Sequence, residues 1–600
     1  MTRFFVCISF LIISLITGVF YAQTARYELR MENPANHYFQ VDFFLTDYKT
    51  DEIEVKMPVW APGSYLVREF SKNLNEVRAY DESGKQLDII KKSKNAWVVK
   101  RGKAKEVKVS YEVYSFELTV RTSFLDRTHG FVSGTGVFMY TEETKNKQGR
   151  LKIIPHASFS KITTALPSAG EGVVGDGGAK EFSFSNYDYL VDCPIEIGNH
   201  EEFTFTAAGI SHTVAIYGWG NYDIPTLKKD MTKIVEAATE IFGQNPNKNY
   251  TFIIHNVTDS QGGLEHINST TLSINRYSYT GGSYLGFLSL VAHEYFHLWN
   301  VKRIRPFELG PFNYDEEVYT SLLWVMEGFT SYYDELILLR AGFYDKNQYL
   351  NKLLGTINYV EGTPGARVQP VAHASFDAWI KSYRPNENSN NTTVSYYSKG
   401  GVIAALLDAM IIKKFDGKKC LDHFLRELYS KYFEKLQRGF TDKEFQQEVT
   451  AFLGEDMSQF FNDYIYGTKI PDYNAIFAKV GVNVDYTGVA SPSFGAVLAQ
   501  SGKAVTIRSV RSGSAAEHAG LSPNDEIIGC NGIRVNQSDF ETLVNSLNNG
   551  ESLDLLIARD DVLLEIKLTI SNYERPKFNF SAGSGSKEVK LREYWLRTVL

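Results

Sequence analysis

At 600 residues the chain is too long for one hydrophobic core, and about 150 residues per domain makes three or four domains the expectation. A net charge of -7 with no long basic run excludes a nucleic-acid binder of the usual basic kind. Hydrophobic content of 43% and charged content of 22% are those of a globular protein, and 36 Tyr with 39 Phe suit β-rich domains and aromatic-lined clefts.

Met1-Thr2-Arg3, a mostly apolar run from 4 to 20 and then Tyr21-Ala22-Gln23 read as a signal peptide over 1–22, cut after Ala22. That predicts an exported protein, periplasmic or extracellular. Left uncleaved, the leader would be a membrane anchor, since a run of about 17 residues is near the lower limit for spanning a bilayer. The three later cysteines, Cys193, Cys420 and Cys530, make neither a disulfide framework nor a thiolate metal site. Any metal must therefore be held by His and carboxylate.

Residues 23–190 read as a β-sandwich-like N-terminal domain. Val107-Lys108-Val109-Ser110-Tyr111-Glu112-Val113-Tyr114 alternates as a half-buried strand does, and Ala61-Pro62-Gly63 punctuates the region. Gly170, Gly172, Gly175, Gly177 and Gly178 mark a loop. Residues 191–484 are taken as the next unit, although 187–220 could belong to either neighbour, and from about 220 the pattern turns mainly helical. Residues 224–242 carry helical apolar spacing, and 250–255 and 271–274 are strand candidates on either side of Gln261-Gly262-Gly263-Leu264-Glu265-His266.

A helix is expected over 284–300, and it holds His293-Glu294-Tyr295-Phe296-His297. Residues four apart share a helix face, so His293 and His297 can offer two imidazoles to one metal ion, with Glu294 beside them as a proton acceptor. Two His and one Glu at that spacing also arise by chance on core helices, so the surroundings decide. A hydrolytic zinc site needs a third ligand and one open position. Glu327, on a second helix expected over 320–339, leads the candidates at 30 residues past His297 (327 − 297). Asp315, Glu316 and Glu317 compete from the connecting segment. Asp334, two helical turns past Glu327, could orient a ligand imidazole, but a solvated carboxylate is the plainer expectation. Lys302, Arg303 and Arg305 could bind a substrate carboxylate or simply complement the helix end.

Residues 360–394 read as a polar surface loop beside the cleft, and Tyr397-Ser398-Lys399-Gly400-Gly401 opens a helix through 413. Residues 485–572 return to a β-rich pattern, with Asn531-Gly532 as a hairpin turn. Residues 573–600 read as a short appendage joined through the Ser/Gly run 581–586.

The combination resembles the gluzincin metallopeptidases. Gly262-Gly263-Leu264-Glu265-His266, Glu327-Gly328-Phe329 and Tyr397-Ser398-Lys399-Gly400 are similar to the amine-binding, third-ligand and catalytic-tyrosine motifs of the aminopeptidase N group. The longer His297-to-Glu327 spacing, the run 293–306, Trp60-Ala61-Pro62-Gly63-Ser64-Tyr65-Leu66-Val67-Arg68-Glu69 and a PDZ-like segment at 514–535 instead resemble the glycyl aminopeptidase family. The resemblance implies a multidomain α+β protein with a thermolysin-like catalytic domain at 191–484 and a PDZ domain at 485–572. It implies a Zn2+ aminopeptidase that prefers N-terminal Gly and Ala. His293, His297 and Glu327 would be the zinc ligands, Glu294 the general base and Tyr397 the oxyanion donor. Gly262, Gly263 and Glu265 would bind the substrate's free N-terminus. The partners implied are peptides with free N-termini and peptide C-termini at the PDZ domain, through a loop at 493–497. Two other classes remain open: a membrane-anchored PDZ metalloendopeptidase and a catalytically silent PDZ scaffold.

Overall fold

The computed structural model describes residues 25–170 and 178–598. The expected leader at 1–22 and most of the glycine-rich loop lie outside the described residues. Among the described residues no helix is long and apolar enough to cross a membrane.

Strands Ala25–Arg30, Tyr38–Thr46 and Glu106–Tyr114 place apolar side chains largely on one face. They pair in the register Tyr27↔Phe43 and Val41↔Tyr111 inside a seven-stranded sheet. Three- and four-stranded sheets complete the β-rich N-terminal domain, around a core that includes Tyr27, Phe43, Phe138 and Tyr187. The four-stranded sheet takes in Ile195–Gly198, paired with His129–Val132. The N-terminal unit therefore runs past the expected boundary at 190, because a strand belongs with the strand that satisfies its backbone.

The middle domain is built on a five-stranded sheet in the order 201–207, 210–217, 249–257, 269–275, 262–265. Its last strand, Gly262–Glu265, is the Gly-Gly segment set between the two strand candidates. It pairs antiparallel with Ser269–Asn275, with Gly262↔Ser273 and Glu265↔Thr270. The amphipathic helix Ile224–Phe242 packs beside the sheet, capped by Asp223 at one end and left-handed Gly243 (φ 81°) at the other. Helices Gly281–Phe296, Leu323–Arg340 and Tyr396–Lys414 form the rest of the wall around the cleft.

The two domains share one core. Trp60 and Tyr65 leave the N-terminal domain and pack edge-on against Trp379 of the helical domain, at 5.2 and 5.7 Å between ring centroids. Trp60 Nε1 donates to the Asn313 carbonyl at 2.7 Å. The segment 360–394 is thus not all surface loop. Its apolar Val371, Ala372 and Trp379 are buried in short helical turns, while residues 384–388 are exposed as expected.

The PDZ domain is a six-stranded sheet with helices Ala515–His518 and Gln537–Ser546. Its core includes Val505, Ile527, Phe540 and Ile557. The chain does not end as an appendage. Phe578–Ala582 returns to pair with Val482–Tyr486, so the strands entering and leaving the PDZ domain clasp each other. Helix Ser586–Trp595 then docks on the helical domain, where Trp595 is 1% exposed and donates to Tyr332 Oη at 2.9 Å. Burying an aromatic side chain removes roughly 150–250 Å2 from water, about 4–6 kcal/mol at 25 cal/mol/Å2, which outweighs the flexibility of the Ser/Gly run before it.

Candidate active site

The helix Gly281–Phe296 carries His293 on its last full turn and hands over to His297 at its C-cap. Asn300 sits just beyond. Its Nδ2 donates to the carbonyls of Val325 and Met326 at 3.0 and 2.9 Å, which ties this helix end to the start of Leu323–Arg340. That tie brings Glu327 opposite both imidazoles. Glu327 Oε2 lies 3.5 Å from His293 Nε2 and 3.3 Å from His297 Nε2. Metal–ligand bonds of about 2.0–2.2 Å at tetrahedral angles hold donor atoms about 3.3–3.6 Å apart, so this triad has the spacing of a metal site. The far ring nitrogens are spoken for: His293 Nδ1 pairs with Asp334 Oδ2 at 2.9 Å and His297 Nδ1 with the Asn300 carbonyl at 2.8 Å. Each imidazole is thereby turned with Nε2 toward Glu327. Asp334, expected to face solvent, is buried against His293 because its helix face is the cleft wall.

Glu294 is buried and its Oε2 has no partner. Burial pushes its carboxyl up to about 7; His293 and His297 oppose the rise, while Glu265 and Glu327 add to it. For Glu327 the neighbouring His297 and His293 outweigh burial and hold the carboxyl well below the usual range. Gly263 is the reason Glu294 fits, since a Cβ there would stand 2.3 Å from the Glu294 carboxylate. Two residues along the same edge strand, Glu265 turns into the site. One atom each of Glu265, Glu294 and His297 lie within 4.8 Å of one another. Gly63 of the N-terminal domain (φ 83°) packs over Glu265, and a Cβ on it would lie 2.5 Å from Oε1.

Tyr397 reaches the site from the start of Tyr396–Lys414, its ring centroid 6.4 Å from that of His293. Its helix can come that near because glycines meet at the crossing. A Cβ on Gly400 would lie 2.3 Å from the Trp324 carbonyl, and one on Gly328 would lie 2.4 Å from Gly400 Cα. Lys399 pins the same turn through a buried ion pair with Glu361 at 3.1 Å.

His293, Glu294, His297, Glu327, Gly262, Gly263, Glu265 and Tyr397 therefore line one cavity of about 280 Å3. Asp315 does not join them: it is held by Lys56 and Asn95 of the N-terminal domain at 2.7 and 3.0 Å. Glu316 instead accepts from Asn313. Lys302 pairs with Asp192 at 2.7 Å, and Arg303 is buried on the Leu298 carbonyl and Asn247. Arg305 lines an adjoining cavity of about 270 Å3 between the domains, which shares Gly63 and Glu265 with the cleft. The cleft also holds a charged residue that sequence reasoning missed, Arg121 of the N-terminal domain. It lies 172 residues before His293 (293 − 121), in a segment with no periodicity, and no local signal could have found it.

An HExxH helix, a third carboxylate from the neighbouring helix and a bordering edge strand define a metallopeptidase of the thermolysin-like class. Family models match as the peptidase M61 N-terminal domain over residues 26–199, M61 glycyl aminopeptidase over 286–403 and a PDZ domain over 492–570. The crystal structure of an aminopeptidase N family protein from Idiomarina loihiensis is 30% identical, with a TM-score of 0.88 over 96% of this chain and 100% of that one. The chain belongs to the M61 glycyl aminopeptidase family. An M1 zinc metallopeptidase from Deinococcus radiodurans and a mutant two-domain M1 zinc metallopeptidase bound to L-arginine are each 13% identical, over 75% of this chain and 94% of theirs. Their TM-scores are 0.49 and 0.50. No curated protein matches the chain.

Proposed function

We propose that the protein is a zinc-dependent aminopeptidase that removes small N-terminal residues, chiefly Gly and Ala, from peptides. His293, His297 and Glu327 would hold the zinc, which when bound supplies Lewis acidity to the attacking water and the scissile carbonyl. Glu294, with its free Oε2, takes a proton from that water and passes it to the leaving amine. Tyr397 donates a hydrogen bond to the oxyanion that develops on the carbonyl. Glu265 binds the substrate's α-ammonium, a charge-assisted bond strengthened by burial.

The observation that carries the reading is Glu265 beside Glu294 and His297, with Gly63 packed over it. A free amine held there puts the scissile bond one residue in. The small volume of the cleft, at the low end of the roughly 300–1,000 Å3 usual for ligand pockets, supports small residues and short peptides. The test is a panel of aminoacyl anilides and their N-acetylated forms. Wild type should require the free amine, and Glu265→Ala should lose that requirement along with about 10- to 100-fold in kcat/KM, the worth of a charge-assisted hydrogen bond. Equal cleavage of acetylated and free substrates by wild type would contradict the reading.

The strand Ala496–Ser501 lies at the edge of the PDZ sheet and, with helix Gln537–Ser546, borders a cavity of about 440 Å3. Capture of a peptide C-terminus there by strand addition is part of the proposal, as is export through the leader at 1–22.

A further inference from the structure

Arg121 stands in the cleft with its charge unanswered. Among the described residues no carboxylate lies within ion-pair distance of it. One of its terminal nitrogens donates to the Gly263 carbonyl at 3.3 Å, and its buried Nε has no partner. Arg68 is similarly short of side-chain acceptors: one bond to Ser64 Oγ at 3.0 Å and an unpartnered buried Nε. Arg121 is half-buried, and a partly desolvated guanidinium without a counter-charge leaves its donors open to an anion supplied by a ligand. The acids of the cleft do not: His293 and His297 hold Glu327, His293 holds Asp334, and Glu265 and Glu294 face the histidines.

The position of Arg121 along the edge strand suggests what does. It is anchored at Gly263, two residues from Glu265, which is about 7 Å along a strand. Two residues of extended peptide span the same distance. We propose, resting on the aminopeptidase reading above, that Arg121 binds a substrate carboxylate on the leaving-group side of the scissile bond. Glu265 and Arg121 then grip the two ends of a zwitterion, and the cleft is built for dipeptides. The same chemistry could come from an acidic side chain just past the scissile bond.

The test compares Ala-Ala, Ala-Ala amide and Ala-Asp amide on the zinc-loaded full chain. The free acid should exceed the amide by about 10- to 100-fold in kcat/KM, mostly through KM, as for a hydrogen-bonded charge pair. Recovery with Ala-Asp amide would support the same site with the side chain as source; no recovery would support the C-terminal carboxylate. In Arg121→Gln the acid-to-amide ratio should fall toward one, and Arg121→Lys should restore part of it. A second readout needs no turnover: calorimetric binding to a Glu294→Gln chain should show the same preference for Ala-Ala over its amide. Equal handling of acid and amide by wild type, or a ratio that survives in Arg121→Gln, would overturn the proposal. A free-amine requirement without acid preference would defeat this proposal alone. Cleavage of acetylated peptides would instead defeat the aminopeptidase reading.

Discussion

Among the described residues two triads share one composition, His293–Glu327–His297 in the cleft and His129–Glu196–His255 between the N-terminal domain and the central sheet. In the second, His129 Nδ1 and His255 Nε2 meet different oxygens of Glu196 at 2.8 and 2.9 Å. Those are hydrogen-bond lengths, too short for neighbours on a tetrahedral metal. All three side chains are 0% exposed, and the far ring nitrogens have no partner. In the first triad both histidines address one oxygen at 3.3 and 3.5 Å, the far nitrogens are held, and a cavity opens on one side. Residue type alone therefore does not make a metal site. Spacing, orientation of the rings and an open position favour the cleft triad as the zinc site proposed above, whereas the closed triad links the N-terminal domain to the central sheet through hydrogen bonds.

The comparison can be broken by substitution. Glu294→Gln should lower kcat by about 10^2- to 10^4-fold while bound zinc stays at one per chain, if Glu294 moves protons without ligating the metal as proposed. Loss of metal in that variant would mean the ligand set is drawn wrongly. Asp334→Asn should weaken zinc binding by about 10- to 100-fold in competition with a chelator, because His293 would lose its orienting carboxylate. Glu196→Gln should leave zinc affinity untouched and destabilise the fold by about 1.5–3 kcal/mol in denaturant titration, the cost of losing charged hydrogen bonds to two buried histidines.

The candidate metal site was legible because a helix writes its geometry into the sequence. His293 and His297 share a face by spacing alone, and Glu327-Gly328-Phe329 names its own helix. Gly328, Gly400 and Gly63 show why the motif glycines matter: each leaves the space that a catalytic side chain or its helix occupies. What stayed hidden was set by tertiary neighbours. Whether Asp334 met water or His293 depended on which face of Leu323–Arg340 looked into the cleft. Arg121 arrives from another domain, and the Glu196 triad joins positions 129, 196 and 255. The C-terminal segment misled for a related reason. Its Ser/Gly run reads as a flexible joint, but pairing of Phe578–Ala582 and burial of Trp595 fix both sides of it.

The most direct test is a zinc titration of the metal-stripped full chain, reading bound metal and alanine anilide hydrolysis together in wild type, Glu196→Gln and Glu327→Ala. One equivalent should bind and restore activity in the first two, and neither binding nor activity should return in Glu327→Ala. A second tight equivalent, or metal that depends on Glu196 and not on Glu327, would contradict the account.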